Sequence, residues 1–366
     1  MAMIQVDDDG AWHADAAHLW LLPEGAVPGP GDDVFLYCYI IVFDDDIEVN
    51  SVSISEDSSL TLDGDRELIG DLLLEYSGIL ADGGFQLSVN GDVEYASGTY
   101  TTTGSLRLIG DGNLAWSSIT EYPNHLIQDT GVATTLIGDV DTSKITLGDG
   151  SFTGAYQLYL RAKADNFFVQ DENHTLDING LKIYTEASYS NGPIHGSSLA
   201  TYLRIQTTDE TITFTGDVDI GTAELQIYGC VAGEVSLVDM TAFGITAGDV
   251  ILGTTSADDQ AGSLDFGTGS HTVTGTLEGG NAANKAANVL KFGGSTVNLT
   301  GGTIDGALID NLSCTDAKCR IFGGTIKNLN DPGGTVYCIG TAVTDCHANF
   351  VSMAVVDNRM LMSVGS

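Results

Sequence analysis

Leu68-Ile69-Gly70-Asp71 returns letter for letter at Leu108–Asp111 and at Leu136–Asp139. Further on, Gly301-Gly302-Thr303-Ile304 returns at Gly323–Ile326. The intervals between copies are unequal. A loosely repeated unit of about 20 residues is what stacked solenoid coils produce. Around these phrases, short β-type runs alternate apolar and polar side chains, as in Phe85–Val89, Ser105–Ile109, Thr211–Phe214, Glu224–Tyr228, Ser263–Phe266 and Thr296–Leu299. A period of two puts one face inside and one outside. Gly-Asp and Gly-Gly turns supply the positive φ a corner needs. One coil hardly offsets its own ordering entropy of about 1–2 kcal/mol per residue, so stability comes from stacking. The expected class is all-β, a parallel β-helix without long amphipathic helices.

Composition agrees. Hydrophobic residues are 43% of the 366, enough for a continuous core and against wholesale disorder. Gly is abundant (46) and Pro scarce (6), which favours tight turns between strands over a Pro-rich linker. Fifty acidic residues against thirteen basic ones give a net charge of −37. No Lys/Arg cluster can track a phosphate backbone, so nucleic acid is not an expected partner. An anionic membrane surface is disfavoured for the same reason. A membrane-spanning helix needs about 20 apolar residues, and the longest apolar run, Val34–Phe43, falls well short. Met1–Asp9 lacks the basic and apolar regions of a secretory signal. The expectation is synthesis in a host cytoplasm, with lysis as one route out.

Residues 1–33 carry Trp12, Trp20, Pro23, Pro28 and Pro30, and Ala14–Leu22 reads as one short helix. A solenoid end exposes lumen and strand edges that must be covered, and this segment suits a cap. Gly10-Ala11-Trp12, then Trp20, then Val27-Pro28-Gly29-Pro30-Gly31-Asp32-Asp33-Val34 resembles the entry motif of right-handed parallel β-helix proteins in phage tails and on bacterial surfaces. The match continues through Ile47–Ile54 and Leu60–Gly64, beyond which only the repetition is shared. The resemblance implies a right-handed parallel β-helix with an N-terminal cap and a virion setting. The expected division is 1–33 cap or attachment, 34–312 β-helix, and 313–366 C-terminal coils serving as cap or oligomerisation segment. Met353–Val356 and Met360–Met362 read as an apolar tail there.

Interruptions of the rhythm mark candidate sites. Ser117–His125 and Ser188–Ala200 read as protruding loops, and Ala282–Ala287 as a shorter excursion with one helical turn. Near them Trp116, Tyr122, Tyr189 and Tyr202 have the apolar face and polar tip that sugar rings require. The alternative reading makes Trp116 and Tyr202 lumen fillers. Asp258-Asp259-Gln260, Gly269-Ser270-His271 and Arg161-Ala162-Lys163 are the phrases nearest to a glycan-cleaving constellation. Asp7–Asp9, Asp44–Asp46 and Asp63 with Asp65 offer calcium ligands, though none has EF-hand spacing, and Asp in turns also caps backbone N–H groups without metal. No cofactor is expected beyond such calcium. Cys38, Cys230, Cys314, Cys319, Cys338 and Cys346 admit three readings: buried free thiols, late disulfides, or loosely spaced zinc ligands.

The expected function is a phage virion structural protein, a tail spike or fibre binding host surface polysaccharide, assembled as a homotrimer with other virion proteins. A capsid decoration or head-fibre protein is the nearest alternative. A polysaccharide hydrolase or lyase and a bacterial adhesin stand behind it.

Overall fold

The computed structural model describes residues 3–5, 10–11, 28–37, 39–101, 103–116, 122–196, 198–255, 260–309, 311–313, 318–327, 335–339, 341–344, 353–355 and 360–362. The chain is an all-β, right-handed parallel β-helix of about 12 turns, with 56% of residues in strands and no α-helix among the described residues. It forms two compact units: residues 1–161 with 170–178, and residues 162–169 with 179–366.

In the first unit, Val34, Val52, Leu72, Val93, Leu114 and Leu136 stack as parallel partners, each at most 2% exposed. Leu87, Leu106, Leu126 and Ile145 make a second inward ladder. Ile41, Leu60, Leu80 and Tyr100 make a third. Each buried aliphatic contributes roughly 1.5–3 kcal/mol. The polar residues between them face outward, so the alternation in sequence is the inside and outside of each strand.

The Leu-Ile-Gly-Asp phrase is a corner. Leu68, Leu108 and Leu136 point inward, whereas Ile69 and Ile137 are exposed. Gly70 has φ +147, and a Cβ there would lie 2.2 Å from the carbonyl oxygen of Val49 on the preceding coil. The Asp then fastens the next coil. Asp71 accepts the N–H of Asp92 at 2.8 Å, Asp111 that of Ala133 at 2.7 Å, and Asp139 that of Gln157 at 2.9 Å.

In the second unit, Leu181, Leu203, Leu225, Val250, Leu277, Ile304 and Ile326 form the inward ladder. Ile212, Val238, Leu264 and Leu290 line a second face. A third carries Val218, Ile245, His271, Val297 and Ile321. The two Gly-Gly-Thr-Ile phrases lie one on the other, Thr303 against Thr325 and Ile304 against Ile326.

Ser188–Ala200 is not a protruding loop. Tyr189–Asn191 and Ile194–His195 are strands that pair with the following coil at Ile212–Phe214 and Val218–Asp219. At the end of the first, Asn191 turns fully inward, and its Oδ1 accepts the N–H of Phe168 at 2.9 Å. Strands this short, split by Gly192-Pro193, show no readable alternation. Residues 117–121 lie outside the described residues, and His125–Gln128 is a regular strand. The excursion at Ala282–Ala287 does hold one helical turn, since the N–H groups of Ala287 and Asn288 both bond to Asn284 O at 3.0 Å. The expected helix at Ala14–Leu22 lies outside the described residues. At the C-terminal end Met353–Val355 pairs in parallel with Thr335–Ile339 and antiparallel with Met360–Met362.

Candidate functional site

Many of the acidic residues that dominate the charge are occupied by the fold. In the first unit Asp46 and Asp65 accept the N–H of Glu67 and Gln86, one coil on, each at 2.9 Å. Asp92 repeats this on Asn113 at 2.7 Å. Asp82 is fully buried, and its Oδ1 accepts three N–H groups, from Gly84, Thr103 and Gly104, at 2.9–3.2 Å. The second unit does the same with Asp165, Asp209, Asp217 and Asp249, which accept from Ser190, Val235, Gly244 and Thr276. Backbone N–H groups at corners have no strand partner, and a short carboxylate reaches them from the coil below.

Several of the candidate ion and acid residues are likewise taken up by the fold. Asp45 accepts the N–H of Asp46, and Asp63 is paired with Arg66. Among the described residues no group of three or more His, Cys, Asp or Glu gathers as metal ligands. Asp7–Asp9, Asp258 and Asp259 lie outside the described residues, as do Cys38, Cys314 and Cys346. His271 points inward from Gly269-Ser270-His271 and is fully buried. Its Nδ1 accepts the N–H of Ile245 at 3.2 Å, which leaves Nε2 to donate to Phe266 O at 3.0 Å. Burial pushes its pKa down to about 4, so the ring is neutral. Arg161 is tied to the buried Asp141 at 2.8 Å, with its guanidinium carbon 5.9 Å from the Tyr122 ring centre. Burial pushes the Cys230 thiol up to about 12, with Glu234 and Glu186 adding to it. Such a thiol is a poor nucleophile and a poor ligand.

Arg204 breaks the pattern. Arg66, Arg107 and Arg161 each face an aspartate. Arg204 instead donates from Nε to the neutral Gln226 Oε1 at 2.7 Å. Its guanidinium carbon lies 4.7 Å from the ring centre of Tyr202 and 5.3 Å from that of Tyr228. It has no carboxylate partner among the described residues. The alternation explains the grouping. Leu203 and Ile205 point inward, so Arg204 points outward, with Tyr202 beside it on that face but buried (8% exposed), and the next coil does the same with Gln226 and Tyr228 around Ile227. Lys182, Arg204, Gln226, Ile251 and Glu278 align across successive coils.

A cavity of about 140 Å³ opens there, lined by Arg204, Glu224, Gln226, Tyr228, Ile251, Gly253, Thr254 and Thr255. Glu224 accepts a hydrogen bond from the Gln226 amide. One wall is held from within. Asn281 and Asn284 both donate to Thr254 O, at 2.7 and 3.0 Å, and Asn288 braces Asn284 Oδ1 at 2.9 Å. Asn284 and Asn288 are fully buried. The Ala282–Ala287 excursion therefore supports this cavity. Burial raises the Tyr228 phenol, against the opposing pull of Arg204.

The four predicted aromatics divide between the units. Trp116 is 1% exposed, stacked on Tyr95 at 5.0 Å and met edge-on by Tyr100 at 4.9 Å. Tyr122 is buried beneath Arg161. Tyr189 is half-buried in its strand. Tyr202 alone of the four adjoins the cavity residues, its ring lying against Gly180, where a Cβ would come within 2.8 Å. Sequence reasoning missed Arg204, Glu224, Gln226 and Tyr228. Their signal was a pair on the outward face, Tyr202 and Arg204, followed one coil later by Gln226 and Tyr228. A wider cavity of about 420 Å³ lies over His195, Asp217 and Asp219, but both aspartates already accept backbone N–H groups, from Gly244 and Gly221. Comparison with protein-family models, curated proteins and solved structures finds no match.

Proposed function

We propose that this chain is a structural protein of a phage virion, tail spike- or fibre-like, that binds host surface polysaccharide. The observation that carries the binding part is the outward cavity in which Arg204, Glu224 and Gln226 meet the ring of Tyr228, with Tyr202 alongside. Sugar sites combine an aromatic face with a few convergent polar groups on a rigid scaffold, and a stacked coil face is rigid. The resemblance of the entry segment to phage-tail β-helices supports the setting, and the corner at Pro28–Asp32 is built as a tight turn, with Gly29 and Asp32 bonded to each other. The assembly expected for such an appendage is a homotrimer.

The test has two parts. Light scattering after size exclusion should give about three times 38.3 kDa. A panel of bacterial surface polysaccharides should contain at least one that binds without releasing reducing ends or unsaturated products. A monomer that binds no member contradicts the reading, and product release moves the chain to the hydrolases or lyases.

A further inference from the structure

We infer that the Arg204 cavity recognises a carboxylate-bearing sugar, a uronic- or sialic-acid-type unit, within an otherwise weakly charged glycan. The inference rests on the glycan-binding reading and names the ligand class of the same site. In a chain of fifty acidic and thirteen basic residues, a guanidinium with no carboxylate in ion-pair contact among the described residues is the exception to explain, even with Glu224 on the same cavity wall. Arg66, Arg107 and Arg161 are neutralised by Asp63, Asp129 and Asp141. Arg204 is held by a neutral amide through Nε and by two tyrosines, which leaves its Nη edge for a planar anion. A guanidinium fork matches a carboxylate in a two-point geometry. A cavity of about 140 Å³ has room for part of one sugar ring rather than an extended oligomer. Tyr228 offers that ring an apolar face, and Thr254, Gln226 and Glu224 offer hydroxyl partners.

The same surroundings limit the charge. Glu224 stands on the cavity wall and Glu278 follows Ile251 in the outward ladder. One guanidinium in that company balances a single negative charge, which disfavours sulfate esters in series and phosphodianions. A polymer charged at every unit is repelled by the acidic faces, whereas one acidic unit per repeat places its charge on Arg204.

The test uses the full chain with methyl glucuronoside, its neutral methyl ester, methyl glucoside, methyl sialoside and a tri-glutamate peptide, read by saturation-transfer NMR and titration. The acid should bind about tenfold tighter than its ester, since a hydrogen bond to a charged group is the stronger kind. Added salt should weaken binding. Arg204→Gln should abolish the preference at an unchanged melting temperature, and Arg204→Lys should restore part of it. The acid-against-ester comparison needs no variant, so a misfolded mutant cannot obscure it. Equal binding of acid, ester and glucoside, all lost in Tyr228→Ala, overturns the carboxylate assignment and leaves the glycan reading standing. Tri-glutamate binding as tightly as the uronoside overturns the sugar assignment. No binding by any glycoside overturns both.

Discussion

The two units solve the same stacking problem, but part of the second uses longer coils, and the corner aspartates there measure the difference. In the first unit Asp46, Asp65, Asp71 and Asp92 each accept an N–H 21 positions further along the chain. In the second, Asp209 reaches 26 positions, and Asp217 and Asp249 reach 27. A short coil holds its strands and corners and little else, so the first unit is fastened corner by corner with aspartates. The extra residues in the second go into turns such as Asn281–Asn288, which are fastened from inside by buried asparagines and shape an outward cavity. The described arginines of the first unit are all paired with aspartate, whereas Arg204 in the second is left facing a cavity. Both units use aspartates at their corners; what the second adds is the Asn281–Asn288 turn, which supports a cavity over a pair, Arg204 and Gln226, only 22 positions apart.

The largest effect expected is at Asp82. Asp82→Ala strands three N–H groups at a buried corner and should cost about 3–5 kcal/mol, read as a shift of the denaturation midpoint. A loss below about 1 kcal/mol would deny that the carboxylates fasten the coils.

Acid should weaken both units through histidine. Burial lowers His125 and His271 to about 4 in the folded chain, against about 6.5 when unfolded. The unfolded chain therefore binds more protons between those values, and the stabilisation present above pH 6.5 is lost as pH falls towards 4. His271, the more deeply enclosed, accounts for on the order of 3 kcal/mol, and the half-buried His125 for less. His271→Gln should flatten the pH dependence of the midpoint over that range; an unchanged slope contradicts the assignment.

Asn284→Ala removes one of the two donors that hold Thr254 O and the acceptor that braces Asn288, at about 2 kcal/mol. It should weaken glycan binding as well as stability, whereas Asp82→Ala, measured where the chain is still folded, should leave binding intact. The smallest effect on stability, about 1 kcal/mol, belongs to Gly180→Ala. The added Cβ meets the Tyr202 ring at 2.8 Å and should displace it, changing glycan affinity with little change in midpoint.

The repeated phrases made the solenoid legible because each carries an inward Leu and an aspartate that reaches the next coil, with Gly70 of the first copy also lying under the Val49 carbonyl. The partner of that aspartate was not legible. Reading Asp71 as a local cap follows from sequence neighbours, but the N–H it accepts belongs to Asp92 on the next coil. The same gap hid the site. Tyr202 was visible as an aromatic, yet its relation to Tyr228 and Thr254 exists only once the coils are stacked in register. Unequal coils obscured that register: Arg204 meets Gln226 across 22 positions, whereas Asp249 meets Thr276 across 27. Trp116 shows the opposite error of emphasis: a large aromatic beside a break in the rhythm drew attention, while its alternation with Leu114 already placed it inside.

The most direct test of where this molecule binds is amide hydrogen exchange with the tightest-binding member of the polysaccharide panel. Added protection should fall on Tyr202–Thr207, Glu224–Ile227 and the segment through Gly253–Thr255, with Trp116 and Tyr122 unchanged. Protection centred on Trp116 and Tyr122, or on the His195 face, would contradict the account.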